Sequence, residues 1–256
     1  MIKIYQQRSN IPLAFLTISS ISLLSLVGCS SLYSPNVPAS PMFKNRGEAY
    51  VAGNIDFRTQ VAVSAGVAVT DHVAIIGNAS TVSKDEGNAV NKQKLAEIGL
   101  GYFTTFGDNK RQVLEVYGGY GRGNFQEQQL RSSTTGFALV DDVKADFKKY
   151  FVQVNFSSTK RDKIKLFGEE QELSYGTMLR LSQLTMHNTM HNAMPAANER
   201  NFFLEPVFFT RLGLTKSLQL QYTTGMNIGL QKNEYLKAGH PIFSFGILYN
   251  FGRTIN

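Results

Sequence analysis

The chain has 256 residues with 26 Lys and Arg against 19 Asp and Glu, and its formal net charge is +7. This excess is too mild and too evenly spread along the chain to indicate nucleic-acid binding. A single cysteine excludes an intrachain disulfide framework.

Residues 1–28 have the pattern of a bacterial lipoprotein signal peptide. A short positive region precedes the apolar run 11–28, which serine interrupts and which is short for a membrane-spanning helix. The run ends in Leu-Val-Gly-Cys at 26–29, which resembles the lipobox where a diacylglycerol is attached and the peptide is cut before the cysteine. We therefore predict lipid attachment at Cys29. An ordinary signal anchor that contains one cysteine is the alternative.

Residues 29–46 comprise the predicted lipidated cysteine and a Pro/Ser-rich linker. Pro35, Pro38 and Pro41 are spaced along it, with serine and asparagine between them. Proline cannot donate to a sheet ladder, so the segment is predicted to be extended and unpaired. Serine rather than aspartate follows the cysteine, which by resemblance to bacterial sorting rules favours the outer membrane.

From residue 47 to residue 256 the chain is rich in Val, Thr, Tyr, Phe and Gly, in period-two runs separated by turn signals. Most runs are close to the length that a tilted strand needs to cross a bilayer. We predict an all-β fold, an antiparallel up-and-down β-barrel of eight to ten strands that spans a membrane. The predicted strands are 47–57, 59–69, 73–83, 93–106, 111–122, 146–158, 172–184, 201–212, 217–229 and 241–251.

The polar face of these strands distinguishes a membrane barrel from a soluble sandwich, which would also alternate. Charged residues fall on it in mid-strand, where a small barrel would pair them inside its lumen. They are Glu97, Glu115, Glu172, Arg180, Glu205 and Arg211. Glycines at 99, 101, 119 and 121 would leave room for large neighbours in that interior. In a sandwich the same charges would be solvated.

The connections are predicted to be tight after strands two, four and eight. They are predicted to be long after strands three, five, seven and nine, over 84–92, 123–145, 185–200 and 230–240. Short turns at one end and long loops at the other are typical of outer-membrane barrels. Ten strands would place both termini at the periplasmic end. Pro206 lies inside the eighth strand, where it removes a ladder donor and predicts a bulge.

Several motifs resemble those of a Bacteroidota family of outer-membrane β-barrel lipoproteins without a defined activity. Besides the lipobox they are Tyr33-Ser34-Pro35-Asn36, Pro41, Gly47-Glu48, Val69-Thr70-Asp71, 97–102, Phe106-Gly107, 115–121, 150–153, 179–182, Leu204-Glu205-Pro206 and 243–246. The resemblance covers nearly all of the chain after the signal peptide. It implies architecture and location, and it supplies no catalytic residues. The stretch after Cys29 is not the acidic run associated with surface export in that phylum, so the lipid is expected in the periplasmic leaflet.

The segment 186–194 combines thioether and imidazole side chains, which suit Cu(I) and, less well, Zn or Ni. The candidate ligands are Met186, His187, Met190, His191 and Met194. No carboxylate or cysteine accompanies them, which argues against a catalytic zinc site. The alternative is a surface loop with an incidental near-duplication.

No histidine of the sequence has a serine and a carboxylate in an obvious constellation, so we expect no enzyme. The expected role is that of an outer-membrane barrel lipoprotein with a structural or interaction function, without a cofactor. Its expected contacts are outer-membrane lipid and a protein partner at the long loops, such as 123–145. The alternative is a copper-binding surface protein. Barrels of this size are usually filled by their own side chains, so an open channel is not expected.

Overall fold

The computed structural model describes residues 32–57, 59–85, 87–133, 136–166, 168–237 and 241–252. The predicted signal peptide, Cys29 and His240 lie outside these residues. Within the described ranges, no helix is both long and apolar enough to cross a bilayer.

Ten long strands form one antiparallel sheet in which each strand pairs with the next along the chain. They are β1 (Ala49–Asp56), β2 (Gln60–Ala68), β3 (Val73–Asp85), β4 (Ala89–Phe106), β5 (Gln112–Ser133), β6 (Gly136–Thr159), β7 (Leu173–His191), β8 (Arg200–Gly213), β9 (Leu218–Met226) and β10 (Pro241–Phe251). The last strand pairs with the first, with Ala49 opposite Phe251, so the sheet closes. The predicted up-and-down barrel is confirmed, with ten strands.

We name the two ends of the barrel by the position of its first and last strands. The terminal mouth is the end where β1 begins and β10 ends, and its connections are 69–72, 107–111, 160–172 and 214–217. The distal mouth is the opposite end, with connections 57–59, 86–88, 134–135, 192–199 and 227–240. The connection 160–172 is an exception to the tight turns of the terminal mouth. It folds into a small hairpin of Ile164–Leu166 and Glu169–Gln171.

Two of the predicted long loops are strands in the structure. The segment 123–145 pairs along most of its length, so β5 and β6 continue as a ribbon beyond the distal mouth. The segment 84–92 likewise belongs mainly to β3 and β4. The prediction of loops there was wrong because it rested on polarity. A ladder is held by backbone hydrogen bonds, and it can continue in water without an apolar face.

The outer face of the barrel is apolar on all ten strands. One exposed side chain from each, in chain order, is Val51, Val63, Ile75, Leu100, Val116, Val152, Leu181, Phe208, Tyr222 and Ile247. Val152 is 57% exposed and Ile247 is 58% exposed, values that a soluble surface does not repeat around a whole circumference. Such a continuous apolar belt is typical of the lipid-facing surface of outer-membrane barrels. The sandwich alternative is thereby excluded.

Aromatic rings border the belt towards both mouths, as at the two interfaces of membrane barrels. On the terminal side they are Tyr102, Phe106, Phe156, Tyr175, Tyr249 and Phe251, and on the distal side Phe57, Tyr120, Tyr150 and Phe245. Tyr120 and Tyr150 are directly opposite each other, with ring centroids 5.1 Å apart.

The inner face is polar, and two details of the sequence prediction change there. Glu172 lies exposed in the connection 160–172, outside the lumen, because β7 begins one residue after it. Pro206 causes no register shift: it pairs with Leu179, and β8 keeps one register from Val207 opposite Gly225 to Leu204 opposite Ile228. The missing donor interrupts the ladder locally and does not produce a bulge.

Glycine makes room inside the barrel where the sequence predicted it. An added Cβ at Gly119 would lie 2.3 Å from the Phe151 ring, and one at Gly99 would lie 3.2 Å from it. The two glycines, one on β4 and one on β5, therefore accommodate one large inward ring of β6.

Candidate functional site: a filled lumen

Residues 32–43 run through the lumen, and we call this segment the plug. Every residue from 35 to 43 is buried. The plug makes no strand pairing with the wall, because Pro35, Pro38 and Pro41 have no N–H to donate. The predicted extended, unpaired conformation is thus present. Its position inside the barrel was not predicted from the sequence.

Ring and backbone contacts show the direction of the plug. Near the terminal mouth, Phe43 packs against Tyr50 and Phe103, with centroids 6.0 and 5.9 Å away. At the other end, the Leu32 N–H donates to the Tyr235 carbonyl at 3.4 Å. Tyr235 belongs to the connection 227–240 at the distal mouth. The chain therefore crosses the whole lumen before β1 begins.

The half of the plug nearer the terminal mouth is held by Glu115, which points inward from β5. One carboxylate oxygen accepts from the Met42 N–H at 3.2 Å and from the Tyr117 hydroxyl at 3.0 Å. The other accepts from the Ser40 hydroxyl and the Asn155 amide, both at 3.1 Å. Four donors surround this fully buried carboxylate, two of them from the plug, so its hydrogen-bonding capacity is met without water.

Wall side chains hold several plug carbonyls, among them those of Ala39 and Ser40. The Ala39 carbonyl accepts from the Gln153 amide at 2.7 Å and from the Asn155 amide at 3.0 Å. The Ser40 carbonyl accepts from Arg211 at 2.6 Å. These wall side chains replace the ladder partners that an extended chain would otherwise need.

A network of buried charges crosses the lumen on the distal side of Glu115. Lys149 lies 2.8 Å from Glu97 and 3.4 Å from Glu205. Arg180 bonds Glu97 at 3.1 Å and donates twice to the Gln153 side-chain oxygen, at 2.9 and 2.6 Å. Because all four charged side chains are fully buried, each depends on the others for solvation.

Tyr33 of the plug completes this network. Its hydroxyl accepts from Lys149 at 2.6 Å and donates to Glu205 at 3.1 Å. Its ring packs against Phe203 and Phe147, with centroids 5.0 and 6.1 Å away. One plug residue thus joins the charge network to the apolar layer at the distal mouth.

The described charges deep in the lumen balance. They are the carboxylates Glu97, Glu115 and Glu205 and the cations Lys149, Arg180 and Arg211. Apolar clusters lie towards both ends, around Phe43 and Phe103 on one side and around Tyr33 and Phe147 on the other. The lumen is therefore packed as a protein core, with the plug as a central part of it.

The sequence predicted five of these six charges and missed Lys149. The alternation could have revealed it, because counting back in steps of two from Asn155 and Gln153 leads through Phe151 to Lys149. The plug itself has no such signal. The hydrogen-bond partners of its residues range from Gln60, 25 positions from Pro35, to Tyr235, 203 positions from Leu32.

The five candidate metal ligands do not converge on one point. Met186 is buried in the lumen among the apolar side chains of the distal mouth, whereas the next residue, His187, faces outward. Met194 is 67% exposed beyond the turn. Most of the predicted loop is the end of β7, and a strand sends neighbouring side chains to opposite faces. No group of three His, Cys, Asp or Glu suited to a metal occurs in the described part of the chain. Copper binding stays a prediction.

His191 has polar neighbours on both ring nitrogens. Nε2 contacts Asp141 and Nδ1 lies 3.2 Å from the Tyr235 hydroxyl. Desolvation, together with the Glu234 carboxylate, raises the pKa of Tyr235, so its hydroxyl stays protonated and can donate to the ring. No serine takes part in the contacts described for this ring, and the expectation of a non-enzymatic role stays a prediction.

No protein-family model and no curated protein matches the chain. Solved structures do. The translocator domain of the autotransporter NalP from Neisseria meningitidis matches with a TM-score of 0.45 and 12% identity, over 92% of this chain and 95% of that one. The β domain of the Bordetella autotransporter BrkA matches with a TM-score of 0.30 and 10% identity, over 81% and 99%. The siderophore receptor PirA from Pseudomonas aeruginosa matches with a TM-score of 0.20 and 12% identity, over 82% and 41%. At these identities the likeness concerns the fold alone.

Proposed function

We propose that this protein is a lipid-anchored barrel of the outer membrane that closes its own lumen and displays its N-terminal anchor at the distal mouth. Its role is structural or interactive, and no catalysis is proposed. The observation that carries the proposal is the path of the plug, from Phe43 near the terminal mouth to Leu32 at the distal mouth. Membership of the Bacteroidota lipoprotein family is part of the same proposal.

The orientation in the membrane follows from the two ends. Outer-membrane barrels have short turns at the periplasmic end and project their longer hairpins outward. Here the ribbon of β5 and β6 projects from the distal mouth, and both barrel termini lie at the terminal mouth. This supports a terminal mouth in the periplasm and a distal mouth at the cell surface.

The position of the lipid follows from chain length. Cys29 precedes Leu32 by three residues, which reach at most about 10 Å even when fully extended. The opposite leaflet lies beyond a hydrocarbon core of about 30 Å. The anchor at Cys29 is therefore proposed for the leaflet at the distal mouth. The sequence favoured the periplasmic leaflet because the stretch after Cys29 lacks the acidic run associated with surface export.

The first test is the topology of the N-terminus. The thiol of a lipidated Cys29 is blocked, so Ser31→Cys, Lys232→Cys and Asn109→Cys variants each carry one reactive thiol. A membrane-impermeant maleimide should label positions 31 and 232 on intact cells, and position 109 only after lysis. Labelling of position 31 together with position 109 would place the anchor in the periplasm and contradict the proposal.

The second test concerns lipidation itself. Cys29→Ala should accumulate as uncut precursor and should not incorporate labelled palmitate, whereas the control Ser30→Ala should be cut and should incorporate palmitate normally. Palmitate in the Cys29→Ala chain would show that the anchor lies elsewhere.

A further inference from the structure

A groove of about 930 Å³ lies on the outer face of the barrel, at the distal border of the apolar belt. Its floor is formed by small and branched apolar side chains, namely Val61, Val63, Ala79 and Ala96. Its wall towards the distal mouth is formed by the exposed cations Lys94, Arg122 and Lys148. We call these three residues the cationic triad.

The triad brings like charges together on neighbouring strands. Arg122 of β5 is directly opposite Lys148 of β6. Lys94 of β4 is opposite Asn124, one diagonal step from Arg122. Like charges directly opposite each other destabilise a sheet. In the described part of the chain, no member of the triad forms a salt bridge.

The surrounding charges do not cancel the triad. Two further exposed cations, Lys92 and Lys144, flank Gln126 in the next row up. The carboxylates on the outer face of the same strands are Asp146, which also lines the groove and accepts from Asn188 at 3.1 Å, and Asp142, which accepts from Gln126 at 2.7 Å. Five cations against two carboxylates leave a strongly positive surface that suits an anion.

The depth of the triad points to the kind of anion. Arg122 follows the outward Tyr120 by two residues on β5, and Lys148 precedes the outward Tyr150 by two residues on β6. Tyrosines of this kind mark the interface between lipid tails and headgroups. Arg122 lies over the Tyr120 ring, 5.5 Å from its centroid, and donates to the tyrosine hydroxyl. The cations are thus held at headgroup depth.

We propose that this groove binds a phosphate-bearing headgroup of a membrane lipid in the leaflet at the distal mouth. The triad holds the phosphate, since arginine and lysine are the residues that bind phosphate oxygens. The apolar floor below contacts the upper part of an acyl chain. That floor is the reason to infer a lipid rather than free phosphate.

The test uses the full mature protein in detergent micelles and diphosphoryl lipid A as the probe, with bound lipid counted by native mass spectrometry. The triple variant Lys94→Gln, Arg122→Gln, Lys148→Gln should lose at least about tenfold in affinity. A matched variant at the terminal mouth, Lys160→Gln, Arg161→Gln, Lys163→Gln, removes the same charge and should change affinity less than about twofold. Dephosphorylated lipid A should bind the unaltered protein as weakly as the phosphorylated lipid binds the triple variant.

Equal losses in the two triple variants would show attraction by net charge alone and would overturn the site. Displacement of the lipid by equimolar inorganic phosphate would show an anion site without lipid specificity and would also overturn it. Retained gel mobility of the folded form in the triple variant serves as the folding control. Because binding is measured in micelles, the result does not depend on which mouth faces the cell surface.

Discussion

The plug lies in the lumen against strand β6 of the wall, yet the two segments are held by different interactions. The strand is bonded along its length to β5 and β7 through backbone N–H and C=O groups, which every residue except proline supplies. The plug has no ladder, and it depends on particular side chains such as Glu115, Gln153 and Arg211. Substitutions in the lumen should therefore disturb the plug more readily than the strand order of the wall.

The largest expected effect comes from removing the plug side chains altogether. A Gly/Ser replacement of residues 33–43 should leave the ten-stranded wall folded, because the wall ladder does not include the plug. Water should then enter a polar lumen, and the barrel should change from closed to conducting in planar bilayers. A replacement that folds and stays closed would show that the wall side chains alone fill the lumen.

Next in size are single losses of charge from the wall. Glu205→Leu leaves Lys149 without one of its two carboxylates, and Arg211→Leu removes the donor to the Ser40 carbonyl. Each should lower the free energy of unfolding by about 3–5 kcal/mol, since a buried partner is left uncompensated. Gln60→Leu, at the distal edge of the lumen, loses one hydrogen bond to Pro35 and should cost about 1 kcal/mol. Urea titration of the folded gel band measures all three, and equal small effects would place the charges in water.

A smaller loss of stability is expected when a single hydroxyl is removed from the plug than when a wall charge is removed. Tyr33→Phe keeps the ring packing but removes the hydroxyl between Lys149 and Glu205. It should cost about 1–3 kcal/mol, because polar partners lose a bond in a buried site. Tyr150→Phe, on the outer face of the barrel, should cost less than about 0.5 kcal/mol. Similar values for the two variants would contradict a closely packed plug.

The smallest effect is expected at the Met/His segment. A His187→Ala, His191→Ala double variant should leave unfolding free energy within about 1 kcal/mol, since both rings are only partly buried. Copper tolerance of the cells should also be unchanged, because Met186 lies inside the barrel and His187 outside it. A sub-micromolar Cu(I) affinity in the unaltered protein that disappears in the double variant would favour the copper-binding alternative instead.

Most of the wall could be predicted from the sequence, and the two largest errors of that prediction have a common cause. Strand order and the inward placement of Glu97, Glu115, Arg180, Glu205 and Arg211 follow from alternation, which is a property of neighbouring residues. Both errors occurred because a polar composition was used to predict which segments lie outside the sheet and the core. The polar ribbon of β5 and β6 was predicted to be a loop, and the segment with three prolines was predicted to be an extended linker with no position in the lumen.

The sequence by itself therefore determined the strand period, the apolar belt and the closed barrel that buries a polar face, because these depend on contacts between residues two apart or on adjacent strands. Only the tertiary structure decided what fills the lumen and which mouth the N-terminal segment reaches. Tyr33 meets Glu205 and Ser40 meets Glu115 only after the barrel closes around the plug. No local pattern encodes a contact whose partners come together only when the whole sheet has closed.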